Sequence, residues 1–289
     1  MSDSPRHPTT PPIAPHTAQQ YDALRSEIAR STRLLVGFSG GADSALLAYA
    51  AHDVLGEAAV AATAVSASLP AAERRGAADF CRELGIAHVE VCTDELGRPE
   101  YARNGADRCF HCKSALFDAL EPLARMSGAD IAVGTNLDDL GSRHRPGQTA
   151  AAQRDVRRPL ADAGLTKADV RAVSAMLGLP SAAKPAAACL ASRVAYGDQV
   201  TEALLARIEA AEVTLHQLGF PESRVRSHAD GAVARVEVPA ADLPRLVDLR
   251  DEVTAGVKAA GFTFCSLDLD GFRSGSMNAL LTLTPVAPA

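Results

Sequence analysis

The chain predicts a parallel α/β sheet with helices on both faces, followed by a small α+β domain. Three observations carry that expectation. Short apolar runs alternate with helix-length segments from residue 34 onward. A glycine-rich turn joins the first such run to a helix, and turn-forming residues interrupt the alternation near residues 180–198.

Residues 1–17 carry Pro5, Pro8, Pro11, Pro12 and Pro15 among Ser, Thr and His, which predicts a disordered tail with too little apolar surface to offset ordering. A helix is expected over 18–30 and a short buried strand over 34–38, running straight into glycine. Residues 44–55 are apolar on every side and stop at Gly56, as helices often do. Strands are expected at 60–65, 88–91 and 131–133, with helices at 71–84 and 114–126 between them. Thr166 and Asp169 form a capping box at the head of a helix over 166–177. The main domain is thus predicted to span 18–190 and the smaller one 191–289. In the latter, helices at 204–218 and 243–257 accompany strands at 224–228, 233–238 and 262–269, and Asp230-Gly231 marks a hairpin turn.

At 289 residues and 47% hydrophobic, the chain is long enough for two cores. Its formal charge of -6 argues against a broad nucleic-acid-binding face, which needs clustered Lys and Arg. No run of apolar residues reaches membrane-spanning length and no signal-peptide core precedes the first helix, so a cytoplasmic protein is expected. Six cysteines, at 81, 92, 109, 112, 189 and 265, are then thiols, metal ligands or nucleophiles.

The string Ser39-Gly40-Gly41-Ala42-Asp43-Ser44 between strand and helix suits a pyrophosphate. Glycines permit the tight turn, N–H groups at the helix start point at the anion, and the Ser39 and Ser44 hydroxyls add donors. Asp43 repels phosphate, so it either holds Mg²⁺ or orients the loop. The motif is that of the PP-loop ATP pyrophosphatases, which release pyrophosphate from ATP and leave AMP on the substrate. Loops after non-sequential strands share one edge of such a sheet, which brings Gly134 and Thr135 toward the nucleotide. Asp138 and Asp139 read equally as metal-facing groups or as helix caps.

Cys109-Phe110-His111-Cys112 is a C-x-x-C pair, and Cys189 lies far along the chain. The pair alone fits a redox couple or half a zinc site, although no second pair completes four ligands. Three thiolates also suit a 4Fe-4S cluster with one iron left open. A thiolate is a good nucleophile toward an acyl-adenylate, so sulfur transfer is the natural reaction class.

With these strings in order, the sequence resembles the LarE family of ATP-dependent sulfur transferases from about residue 18 onward. The resemblance rests on Ser39 to Ser44, Arg108 to Lys113, Gly134 to Asp139, Arg145-Pro146-Gly147, Pro159-Leu160 with Gly164 to Lys167, and Lys184 to Arg193 with Tyr196-Gly197. Arg224 to Arg226 and Ala234 to Val238 extend it into the small domain.

It implies a nucleotide substrate, pyridinium-3,5-biscarboxylic acid mononucleotide, whose carboxylates are adenylated and turned into thiocarboxylates for a nickel-pincer cofactor. ATP and Mg²⁺ are the implied cofactors, and a homo-oligomer is the implied assembly. Cys189 matches the sulfur-handling cysteine. One branch of the family sacrifices that sulfur, and the other holds a 4Fe-4S cluster on three cysteines, the arrangement that Cys109, Cys112 and Cys189 match. Arg193, Arg224 and Arg226 are expected to grip the substrate's phosphate and carboxylates, with Glu212 nearby. Lys113 and Lys184 suit either a phosphate or a thiolate. The sequence departs from the family at Ser181-Ala182-Ala183 and at Ser142-Arg143-His144. A PP-loop tRNA thiolase shares the loop and the cysteines, but this acidic chain has no long Lys/Arg run.

Overall fold

The computed structural model describes residues 15–140, 146–185, 188–273 and 275–280. The expected tail over residues 1–14, the Ser142 to His144 departure and Arg145 lie outside them. The first helix, Pro15–Ile28, opens earlier than expected and takes the last three residues assigned to the tail. Proline fits there because the first helical residue needs no N–H partner.

Four parallel strands form the main sheet: β1 (Leu34–Gly37), β2 (Ala59–Val65), β3 (Ala87–Cys92) and β4 (Asp130–Val133), in the order β3-β2-β1-β4. Val36 of β1 pairs with Ala61 of β2 and Ala132 of β4. β1 is central and apolar throughout, as a strand covered on both faces must be. Its side chains alternate: Leu34 and Val36 enter one core, Leu35 the other.

On the first face, helix Ala42–Leu55 is enclosed between the sheet and helices Pro15–Ile28 and Lys167–Met176. Leu46, Leu47 and Ala50 meet Leu24, Ile28, Val170 and Val173 there. Burial on every side explains why this helix lacks a polar stripe. On the second face, helix Arg108–Ser127 sets Leu116, Phe117 and Leu120 against Leu35, Ala62 and Val133. β3, an edge strand, stays largely exposed and carries His88 and Glu90.

A second sheet holds β5 (Arg224–His228), β6 (Val233–Glu237) and β7 (Phe264–Leu267), in that order. β5 and β6 form the expected hairpin, with Gly231 at φ 86° in its loop. β6 and β7 run parallel, joined through helices Leu243–Asp248 and Arg250–Ala259. Helix Glu202–Gln217 covers this sheet with Leu204, Leu205, Ile208 and Leu215. Tyr101, Leu190 and Val194 join the same core, so it reaches back across the expected boundary at residue 190.

Three later elements also differ from expectation. The helix expected from residue 114 begins at Arg108, which places the C-x-x-C pair in its opening turns; Asp107 stands at the cap position, but its carboxylate meets the His111 ring at 2.9 Å and makes no bond to a first-turn N–H. The helix expected over 243–257 breaks at Leu249, and the last strand is limited to Phe264–Leu267.

Gly134 explains how the loops meet. A methyl group there would stand 2.8 Å from the Ser44 nitrogen and 2.9 Å from the Asp43 carbonyl carbon, both main-chain atoms. Gly134→Ala should therefore push the two loops apart, costing about 1–3 kcal/mol in urea unfolding and weakening ATP binding. Unchanged stability and affinity would contradict this packing.

Candidate active site at the carboxyl edge of the sheet

β1 leads through Phe38 into the glycine loop, and Gly40 takes the left-handed φ of 70° that glycine tolerates. The two serines brace the turn. The Ser44 hydroxyl donates to the Gly41 carbonyl at 3.0 Å and accepts from the Ser39 N–H at 3.2 Å, and the two hydroxyls stand 3.2 Å apart. Gly41 caps helix Ala42–Leu55 without any side-chain bond, so the N–H groups of the first turn remain available to an anion.

Asp43 ties three loops together. Its Oδ1 accepts from Asn136 Nδ2 at 3.1 Å, and its Oδ2 pairs with Lys167 Nζ. Of its two expected roles, loop orientation is the one with contacts in the structure. Lys184 Nζ donates to the Gly40 carbonyl at 3.0 Å and to Glu73 Oε2 at 2.6 Å. Two lysines thus flank the loop. The sequence places Lys167 at a helix start and in a string shared with the family but gives it no charge partner, because its ion pair spans 124 residues.

Gly134 packs on the loop's backbone, while Thr135 passes its carbonyl to the Ala161 N–H at 3.1 Å. Asp138 accepts from the Lys167 N–H at 2.9 Å, and Asp139 and Asn136 exchange main-chain to side-chain bonds at 3.1 and 3.3 Å. Both aspartates therefore act as caps here.

The three cysteines come from two places. Cys109 and Cys112 stand at the start of helix Arg108–Ser127, and Cys189 precedes the short 3₁₀ turn Leu190–Arg193. The Cys189 carbonyl accepts from the Ser192 hydroxyl at 2.7 Å, and the Leu190 N–H donates to the Ser68 carbonyl at 2.9 Å, next to the end of β2. Cys112 and Cys189 pack against one apolar cluster. Burial, and then the neighbouring Cys189 charge, pushes the Cys112 thiol up to about 12. Cys109 is more open to solvent, yet surrounding protein and Cys189 raise its pKa while Arg108 and Lys113 oppose the shift. Tyr101, buried below, shares a 2.7 Å hydrogen bond with Ser68. Among the described residues, no three His, Cys, Asp or Glu side chains stand at metal-ligating spacing.

Arg193 and Glu212, expected as substrate contacts, meet each other. Arg193 Nε and one terminal nitrogen reach the two Glu212 oxygens at 3.0 and 3.2 Å, with both side chains buried. Its other nitrogen donates to the carbonyls of Ala188 and Cys189. Arg193 thereby holds the Cys189 segment. Arg226 pairs with the fully buried Glu237 at 2.9 Å and reaches the Ser192 carbonyl at 3.3 Å. Arg224 differs: it lies over the Phe272 ring at 5.2 Å, and among the described residues no carboxylate pairs with it. Burial, then Arg193, lowers its pKa, while Glu212 and Glu237 oppose the shift. Lys113 packs against Gly147 beside the cysteine pair.

The family model for NAD synthase matches residues 17–99. That stretch holds the glycine loop and the first three strands and stops short of Cys109. An uncharacterized protein of Synechocystis is 42% identical over 91% of this chain and 98% of its own length. The pyridinium-3,5-bisthiocarboxylic acid mononucleotide synthase of Lactiplantibacillus plantarum is 35% identical over 88% of this chain and 92% of its own. An uncharacterized protein of Methanocaldococcus jannaschii is 28% identical over 60% of the chain and 66% of its own length.

Glu212→Ala would strand the Arg193 charge in the core and remove the acceptor of the Val225 N–H. Chemical denaturation should show a loss of about 3–5 kcal/mol; a loss within experimental error would refute the pairing. For Cys112, the fold favours the neutral thiol, and that contribution to stability is lost as pH climbs from the ordinary thiol value toward about 12. In metal-free protein, iodoacetamide labelling of Cys112 should keep rising to roughly pH 11, where an ordinary thiol levels off about a unit above its pKa near 8.5. An early plateau would contradict the burial.

Proposed function

This chain belongs to the LarE family of PP-loop ATP-dependent sulfur transferases, and on that premise we propose that it adenylates the carboxylates of pyridinium-3,5-biscarboxylic acid mononucleotide and converts them to thiocarboxylates. The observation that carries this reading is the meeting of two sites at one edge of the sheet. Cys189 is joined through Leu190 to Ser68, in the loop after β2, and β2 lies beside the strand that feeds the glycine loop.

The open N–H groups of helix Ala42–Leu55 receive the phosphates of ATP, with Lys167 and Lys184 close enough to turn toward them. Asp43 suits one Mg²⁺ contact once Lys167 transfers to phosphate; bound Mg²⁺ would neutralise charge on the departing pyrophosphate. A substrate carboxylate oxygen attacks the α-phosphorus, pyrophosphate leaves, and an acyl-adenylate remains. Sulfur then adds to the acyl carbon and AMP departs, leaving a thiocarboxylate.

Arg224, lacking a carboxylate partner among the described residues, is the group best placed to take the nucleotide phosphate. Arg193, Glu212 and Arg226 lie around Arg224, and the two other arginines hold the Cys189 segment. Lys113 moderates the charge of the thiolates. Cys109, Cys112 and Cys189 would hold a 4Fe-4S cluster, whose chemistry is to supply sulfide to the activated carboxyl. What supports this is that Cys112 and Cys189 pack against one apolar cluster with Cys109 one helical turn away; the three thiols would have to close to ligating spacing on the 4Fe-4S cluster.

Anaerobic incubation with ATP, Mg²⁺ and the biscarboxylate nucleotide tests the proposal, with product and Cys189 followed together by mass spectrometry. The expected product exchanges carboxylate oxygen for sulfur while Cys189 keeps its mass, and Cys189→Ala abolishes product without abolishing ATP binding. Conversion of Cys189 to dehydroalanine would move the sulfur source to that side chain. Product formation by Cys189→Ala at the wild-type rate would overturn the reading.

A further inference from the structure

Arg108 and Asn104 have no part in the reaction just described, yet they are among the most buried polar side chains of the protein, at 5% and 0% exposure. Asn104 has a φ of 57°, the left-handed region in which asparagine is among the few tolerated side chains. Its Nδ2 donates to the carbonyls of Ala195 at 2.7 Å and Val194 at 3.4 Å, and its Oδ1 accepts from Arg108. The same Arg108 nitrogen donates to the Ala191 carbonyl at 2.9 Å, and the guanidinium lies over the Tyr196 ring at 5.6 Å. Main-chain bonds from Gly197 to Asn104 and from Val200 to Ala102 continue the seam.

The ends of this network are telling. Arg108 immediately precedes Cys109, and Ala191 follows Cys189 by two residues. On its other side the 194–195 segment is held to β5 by the Val194 to Ser227 bridge. A buried guanidinium with several acceptors is expensive to assemble and stiff once assembled. We infer that Arg108 and Asn104 form a strut that sets the spacing between the Cys109/Cys112 pair and Cys189, and that they are positioning residues for the sulfur step. The purpose of the strut rests on the sulfur-transfer reading, whereas its geometry does not.

Dibromobimane, a short reagent that fluoresces after bridging two thiols, tests the geometry in the full-length protein without ATP, iron or substrate. Peptide mapping then identifies bridges from Cys189 to Cys109 or Cys112. Asn104→Gly keeps the left-handed backbone and removes the amide; Arg108→Lys keeps the charge and removes the fork. Each should lower the bridge yield by about tenfold relative to single-site alkylation of Cys109 by a maleimide, which corrects for the action of Arg108 on that thiol. Arg157→Lys is the control, since Arg157 braces Ser31 and the Glu27 carbonyl far along the chain from the cysteines; it should leave the yield unchanged. If Asn104→Gly does not fold, Arg108→Lys decides. Wild-type yield in the folded strut variants, an equal loss in Arg157→Lys, or no bridge in the wild type would each overturn the inference. Failure of the sulfur-transfer reading would show instead as product formed by Cys189→Ala, with the bridge results unaffected.

Discussion

The common direction of the four strands in the main sheet is the constraint on which the rest depends. Parallel strands need crossovers, and each crossover leaves the loop that follows a strand at the same edge. The glycine loop follows β1, residues 66–70 follow β2, residues 93–107 follow β3, and residues 134–140 follow β4. Those four segments build the nucleotide half of the site and hold the thiol half against it, through Ser68 to Leu190 and Asn104 to Ala195. Asn136 reaches Asp43 across two of them, and Ser68 bonds Tyr101 across two others. An antiparallel strand among them would send its loop to the opposite edge and leave the nucleotide half or the thiol half incomplete.

Buried charge does the second part of the assembly. Arg193 with Glu212 and Arg226 with Glu237 are ion pairs with almost no exposure, and such pairs return little net stability for their desolvation. Their value here is geometric. Arg193 grips the consecutive carbonyls of Ala188 and Cys189 and Arg226 grips that of Ser192, so a segment rich in small residues acquires a fixed shape. Exposed pairs such as Arg82 with Asp79 add little by comparison. With Glu212 and Glu237 committed to Arg193 and Arg226, Arg224 is left, like Arg108 and Lys113, without a carboxylate partner among the described residues.

Features carried by consecutive residues were legible in the sequence: the glycine loop, the alternation of strands and helices, the Thr166 to Asp169 capping box and the hairpin at Asp230-Gly231. Features that depend on distant pairing were not. Arginine at 193, 224 and 226 looks equally suited to an anion in each case, and only the fold shows that two of the three already hold glutamates. Likewise Asp43 offers a carboxylate to Mg²⁺ on paper, while Lys167 occupies it here. No spacing rule brings Cys189 to Cys109 and Cys112, because about 80 residues of sheet and helix separate them; their grouping as an expectation rests on the chemistry of three thiols and on the resemblance.

The central claim is that the glycine loop and the helix behind it direct cleavage of ATP between the α and β phosphates on behalf of a carboxylate. Exchange of labelled pyrophosphate into ATP measures that step directly, because it requires the adenylate to form and revert. The account predicts exchange that depends on the biscarboxylate nucleotide and survives in Cys189→Ala, where activation is intact and sulfur delivery is lost. Release of ADP and orthophosphate, with no pyrophosphate exchange, would contradict it.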